Sequence, residues 1–208
     1  MNSNIPKQIE GNQVDCRESI QLPSLYEAEQ FYRETRSRLL DVNNWHRITK
    51  SPSAKFCIID ELETKHYRQV RINDFIRIDI PGPGLPSAGG FDWVQVEQID
   101  EEKKTDWQRI TLTLRPCADP TNDNPDTAHF YKKISTSTLV VEQKATDINL
   151  HFAGRNEVIN KDNEQFSDNF RNFLIGLFAK MGISFPQWKA LIQGLIEPAC
   201  EEYEADEL

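Results

Sequence analysis

The residues of this 208-residue chain that could do chemistry are four histidines, two acids on apolar strand faces and one polar heptapeptide. His46, His66, His129 and His151 offer acid–base or metal-binding imidazoles. No pair of them has HExxH or HxH spacing, and no cysteine stands close enough to complete a local zinc motif, so no metal is expected. Nucleophilic catalysis needs a serine or cysteine beside a positioned base. The chain has no GxSxG turn, and Ser135, Thr136, Ser137 and Thr138 read as strand residues.

The two acids are Glu18, which alternates with Val14, Cys16, Ile20 and Leu22, and Asp74, which shares a face with Ile72 and Ile76. A carboxylate turned into apolar surroundings is desolvated; its pKa rises and it becomes suited to proton transfer. Glu18, Asp74 and His129 are therefore the candidate catalytic residues. A structural account competes with this one. Asp74 follows Asn73 at a turn, where aspartate bonds local backbone amides, and Glu18 can sit on an edge or beside a bulge.

The heptapeptide His151-Phe152-Ala153-Gly154-Arg155-Asn156-Glu157 gathers four polar functions at a strand end. Arg155 there could fork a carboxylate or phosphate, or pair with Glu157 or across the sheet. Trp45, Arg115, His129 and Arg155, near strand ends and loops, are the candidate ligand-binding residues. The loop from Pro81 to Gly90, PGPGLPSAGG, lacks the lysine of a phosphate-binding loop and runs from strand to strand, so it reads as a stiff connection.

Bulk composition narrows the partners. The formal net charge is −9, with six acids between Glu197 and Glu207 and no basic block. Nucleic acid, which demands clustered lysine and arginine, is not expected, and neither is an anionic membrane surface. No apolar run reaches the roughly 20 residues of a membrane helix. The N-terminal residues lack a signal-type apolar segment, so a cytoplasmic location is expected. Cys16, Cys57, Cys117 and Cys200 are widely spaced and read as free thiols. Nothing implies a cofactor.

The elements that must position these residues are legible from periodicity. Val14 to Leu22 alternates as a first strand. Ser24-Leu25-Tyr26-Glu27 has the form of a capping box, and Leu25, Ala28, Phe31, Tyr32, Thr35 and Leu39 follow helical spacing, which predicts a helix from Ser24 to Leu40. Strands are expected near Phe56–Asp60, His66–Ile72, Phe75–Pro81, Phe91–Ile99, Trp107–Arg115, Ile134–Gln143 and Ile148–Gly154, with one face wet. Phe166, Phe170, Phe173, Leu174, Leu177, Phe178 and Met181 form a helical stripe, and a second C-terminal helix carries Trp188, Leu191, Ile192, Leu195 and Ile196. The fold class is α+β: an N-terminal helix, a central antiparallel sheet of about six to seven strands, and two C-terminal helices. Residues 1–12 read as a flexible tail, 13–197 as one domain and 198–208 as an acidic tail.

This order resembles the helix-grip architecture of START and polyketide-cyclase-like proteins, over most of residues 13–182. The resemblance implies a curved sheet around a C-terminal helix, with a cavity between them for an apolar or amphipathic small molecule. The tract from Ile72 to Gly84 and the words GFDWVQVE and HFAGRNE also resemble an uncharacterised bacterial family, which implies no activity. Two alternatives stand beside a binding protein. One is an enzyme on the same fold, using Glu18 or Asp74 with His129. The other is an interaction module that uses the aromatic and arginine-rich wet face, or that forms a homodimer through the Trp188–Ile196 helix.

Overall fold

The computed structural model describes residues 4–49, 54–79, 91–121, 131–158 and 184–197. Strand β1 (Asn12–Gln21) leads into helix α1 (Leu25–Leu40), a single 3-10 turn (Val42–Asn44) and the short helix α2 (Trp45–Ile48). Six strands follow: β2 (Lys55–Ile59), β3 (Phe75–Asp79), β4 (Asp92–Lys103), β5 (Trp107–Pro116), β6 (Thr136–Lys144) and β7 (Asp147–Glu157), and then helix α3 (Ser184–Ile196).

The start of α1 follows from its sequence. Ser24 Oγ accepts the Glu27 amide at 3.2 Å and donates to the Glu27 carboxylate at 2.7 Å, which closes the expected capping box. Ala28, Phe31, Tyr32, Thr35 and Leu39 are its buried stripe. The seven strands form one antiparallel sheet in the order β1-β7-β6-β5-β4-β3-β2. The first strand therefore pairs with the last, and α1 and α2 carry the chain from one sheet edge to the other. That is the α+β class with a central antiparallel sheet of about six to seven strands expected from the sequence.

Register decides which side chains face the helices. Cys16 lies opposite Phe152, Phe152 opposite Leu139, Leu139 opposite Leu112, and Ile58 opposite Ile76. This inner row is apolar from edge to edge and joins the helices in one core. Helix α3 closes it at the β1 side. Trp188 stacks on Phe152 at 4.5 Å between centroids and meets Trp45 edge-on at 6.2 Å, while Trp45 meets Phe56 at 5.0 Å. The Arg38 guanidinium of α1 donates to the carbonyls of Gly194, Leu195 and Glu197, groups that a helix end leaves without partners.

Gly194 of α3 lies against the Ile48 backbone at the end of α2. A Cβ there would overlap the Ile48 carbonyl oxygen and stand 2.8 Å from its carbon, and backbone cannot swing aside. Gly194→Ala is expected to destabilise the protein by about 1–3 kcal/mol, measured by urea unfolding. An unchanged midpoint would show that α3 does not dock there.

The structure corrects several expectations. His66–Ile72 is not a strand but a loop, which follows an isolated bridge between Ile59 and Lys65. Its apolar alternation has another cause, because Val70 is buried with its amide bonded to the Leu40 carbonyl, whereas Ile72 is exposed. The outer face of the sheet is not uniformly wet either. Thr111, Thr113, Thr138 and Ala153 point outward and are at most 1% exposed. Trp93 packs on the same face with Ile59, beside Cys57, Phe75 and Cys117. Residues 4–11 are hydrogen-bonded to the sheet: Asn4 donates to Asp100 on β4, and Ile9 and Glu10 donate to Asn156 on β7. The helix expected over Phe166–Met181, the loop from Pro81 to Gly90, His129 and Cys200 lie outside the described residues.

Candidate functional site

Buried polar side chains gather where β6 begins and β7 ends. Ser135, Thr136, Arg155, Asn156 and Glu157 are each less than a tenth exposed. The local backbone explains how they face different ways. Asn156 has φ +56°, the left-handed region that asparagine tolerates better than most residues. The Val158 amide bonds back to the Asn156 carbonyl, which also accepts Ser135 Oγ at 2.7 Å. Strand parity therefore breaks at Asn156. Glu157 does not point outward with Arg155.

Its carboxylate folds back instead over Gly154, opposite Val14 on the inner face. Gly154 makes the room: a Cβ there would collide with Glu157 Oε1 and come within 3.4 Å of the Val14 Cβ. Burial pushes the Glu157 carboxyl up to about 7, against the opposing pull of a hydrogen bond with Tyr131 and the charge of Arg155. A glutamate on the inner face with a carboxyl raised to about 7 is the most strongly shifted acid at this end of the sheet.

Across the sheet, the outward side chains form a separate ionic cluster. Asp15 on β1 accepts His151 Nε2 at 2.6 Å and Arg155 Nη2 at 2.8 Å. Burial alone would raise the Asp15 carboxyl, but its bonds to Arg155, Gln13 and His151 outweigh that and hold it at about 2. Burial lowers the His151 imidazole, and the Asp15 bond opposes this only in part. Arg155 Nη1 also donates to the carbonyls of Val14 and Gly154, so the guanidinium ties β1 to β7 beneath Glu157.

The residues singled out from sequence are spread over the molecule. Glu18 does face inward, half-buried, where it accepts Gln193 Nε2 of α3 at 3.2 Å. Asp74 has its oxygens occupied by the Arg68 guanidinium at 2.6 and 2.9 Å and by the Arg71 amide at 2.7 Å. Trp45 is fully buried and donates its indole N–H to the Leu39 carbonyl. Arg115 pairs with Glu97 and donates to the Lys133 carbonyl. Of these residues only Arg155 belongs to the β7 site. Glu157 was not separated from its neighbours by sequence reasoning; the available signal was an asparagine before it and a glycine three residues earlier.

A cleft of about 340 Å³ opens between β2, β3 and the loop joining them, lined by Ile58, Asp60, His66, Arg68, Asp74 and Phe75. Its charges are already matched. Asp60 accepts the amides of Leu62 and Thr64 and pairs with His66 Nε2 at 3.0 Å, and Asp74 is held by Arg68. These bonds shape the loop and leave little acceptor capacity for a ligand. Among the described residues no group of three histidines, cysteines or acids could hold a metal ion, and no helix is long and apolar enough to cross a membrane.

No protein-family model and no curated protein matches this chain. Among solved structures it is similar to a hypothetical protein from Helicobacter pylori, at 10% identity over 89% of this chain and 86% of that one, with a TM-score of 0.45. It is also similar to a major latex-like protein from Panax ginseng, at 12% identity over 90% and 100% of the two chains, with a TM-score of 0.41. A third is truncated norcoclaurine synthase from Thalictrum flavum, at 8% identity over 93% and 99%, with a TM-score of 0.37. Likeness at this distance assigns no ligand and no reaction to this chain.

Proposed function

We propose that the protein binds a small amphipathic molecule on the inner face of its sheet, with the polar end of the ligand at Glu157 and Tyr131. The observation that carries this reading is the Glu157 carboxyl, folded onto the inner face over a glycine and held at a pKa near neutrality. A carboxyl buried there is expensive unless something hydrogen-bonds it. Protonated, it both donates and accepts, which suits a hydroxyl, carbonyl or acid head group. Arg155 contributes charge from the opposite side of the same strand.

A second reading rests on the same carboxyl. A group poised near pH 7 is suited to take or give a proton, so Glu157 replaces Glu18 and Asp74 as the acid of choice for an enzyme on this fold.

Fluorescence titration with 1-anilinonaphthalene-8-sulfonate, an anionic amphipathic probe, tests the binding reading. Saturable one-to-one binding is expected at pH 5.5, about tenfold weaker at pH 8.5, where ionised Glu157 repels the probe. In Glu157→Gln the affinity should not change with pH. Absence of saturable binding at pH 5.5, or the same pH profile in both proteins, would overturn the reading.

A further inference from the structure

The N-terminal residues cross the outer face of the sheet and end on the residue that aims Glu157. Asn4 is anchored on β4 and Ile9 on β7. Three strand spacings, about 14 Å, separate those anchors across the sheet, and the register sets Asn156 five residues along β7 from His151, the residue level with Asp100, so the segment runs diagonally across the strands in extended form. The outward Thr111, Thr113, Thr138 and Ala153 between the anchors are closed to solvent, as a chain laid over them requires.

Asn156 receives nearly all the bonding at the β7 end. Its Oδ1 accepts the Ile9 amide at 2.7 Å and the Glu10 amide at 3.2 Å, its Nδ2 donates to the Lys7 carbonyl at 3.1 Å, and its own amide donates to Gln8 Oε1 at 2.9 Å. These four bonds offset the cost of a left-handed asparagine, which an isolated chain would not hold. Gly11, at φ +70°, then seats the segment against Glu157 and Val158: a Cβ on it would lie 2.6 Å from Val158 Cγ2 and 2.8 Å from the Glu157 carbonyl oxygen. The segment thus grips the chain immediately before and after Glu157.

We propose that residues 4–11 are a strap that holds the Glu157 carboxyl on the inner face by clamping Asn156, and that lifting the strap turns this carboxyl out into water. An event on the outer face of the sheet, such as a partner displacing the strap, thereby switches a group on the inner face. The neighbours that set the charge of Glu157 are Tyr131, from the segment before β6, and Arg155, on β7 itself. Neither belongs to the strap, so the coupling is mechanical and runs through the backbone at Asn156. The inference deepens the ligand-site reading above, since it concerns the control of the same carboxyl.

The test is Asn156→Gly in the full chain. Glycine keeps the left-handed backbone accessible and deletes the three side-chain clamps, so the fold survives while the strap loosens. Two readouts are taken without ligand: amide exchange at Ile9 and Glu10, and the carboxyl titration of Glu157 followed by carbon NMR. Exchange at both amides should quicken at least tenfold, and the Glu157 midpoint should fall from about 7 toward the ordinary glutamate value of about 4.3. Asn4→Ala, which frees only the far anchor on β4, should quicken exchange less and leave the Glu157 midpoint nearer 7. A strap that loosens with the midpoint unmoved would overturn the coupling, and so would exchange that does not change. A failure of ligand binding is read separately, in the probe titration, and leaves both readouts intact.

Discussion

Trp45→Ala is expected to destabilise the fold by about 3–5 kcal/mol, a large part of the roughly 5–15 kcal/mol that holds an ordinary domain together. The indole has no solvent exposure and lies at the junction of three elements: its own helix α2, Phe56 of β2 and Trp188 of α3. Beyond Trp188 stands Phe152, so a cavity at Trp45 would loosen the aromatic stack that fixes α3 to the sheet. The N–H matters separately, because it donates to the Leu39 and Arg38 carbonyls in the last turn of α1 at 3.1 and 3.3 Å. Trp45→Phe removes the donor but keeps a ring, and is expected to cost about 1–2 kcal/mol less than alanine. Urea unfolding followed by circular dichroism measures both. A loss below 1 kcal/mol for alanine would contradict a packing role and return Trp45 to the set of ligand contacts. Probe affinity measured on Trp45→Phe separates the two roles, since a packing residue leaves it unchanged.

How much of this could be read from residues alone depends on the range over which each feature is determined. Helix α1 was legible to its first residue, because Ser24 and Glu27 bond each other and the buried stripe needs only a 3.6-residue period. The inward faces of β3 and β5 were legible for the same reason: Ile76, Ile110, Leu112 and Leu114 alternate with polar residues and all are buried. The outward faces were not. Thr111, Thr113 and Thr138 look solvent-bound in any local window, yet each is at most 1% exposed, and burial on that face is decided outside the strands themselves. His66–Ile72 failed for a related reason, since an apolar side chain tucked under α1 imitates one tooth of a strand.

The site shows the same division. Parity nominated Glu18 and Asp74 as inward acids. Glu18 does face inward, toward Gln193, while Asp74 serves the turn that contains Asn73 at φ +72°. Glu157 was read only as one of the polar functions at a strand end, and the left-handed Asn156 before it sets its direction. Such a residue is held by long-range bonds, here from Lys7, Gln8, Ile9 and Glu10, so the local signal of Asn156 and Gly154 was not enough to announce it. What was legible was the concentration of polar functions in HFAGRNE.

Glu157 also makes stability depend on pH in a direction opposite to that of most glutamates. Its folded pKa of about 7 lies above the roughly 4.3 of an unfolded chain, so the folded state holds its proton more tightly. The stabilisation this gives is complete below about pH 4, is lost as pH rises from about 4.3 to 7, and is absent above that. The full difference amounts to about 4 kcal/mol. Glu157→Gln keeps an acceptor for Tyr131 and the shape of the side chain but cannot ionise. The two proteins should therefore unfold at the same urea concentration at pH 4, and the glutamine variant should be the more stable by about 4 kcal/mol at pH 8. Parallel curves across this range, or a wild type that gains on the variant above pH 7, would mean that the carboxyl is not desolvated on the inner face. The physical consequence bears on the strap as well as on the ligand. Above pH 7 an ionised Glu157 pulls toward water against the four bonds at Asn156, so raising the pH and weakening the strap push the same carboxyl the same way. Amide exchange at Ile9 and Glu10 should accordingly quicken with pH beyond its intrinsic base-catalysed rise in wild type, and follow only that rise in Glu157→Gln.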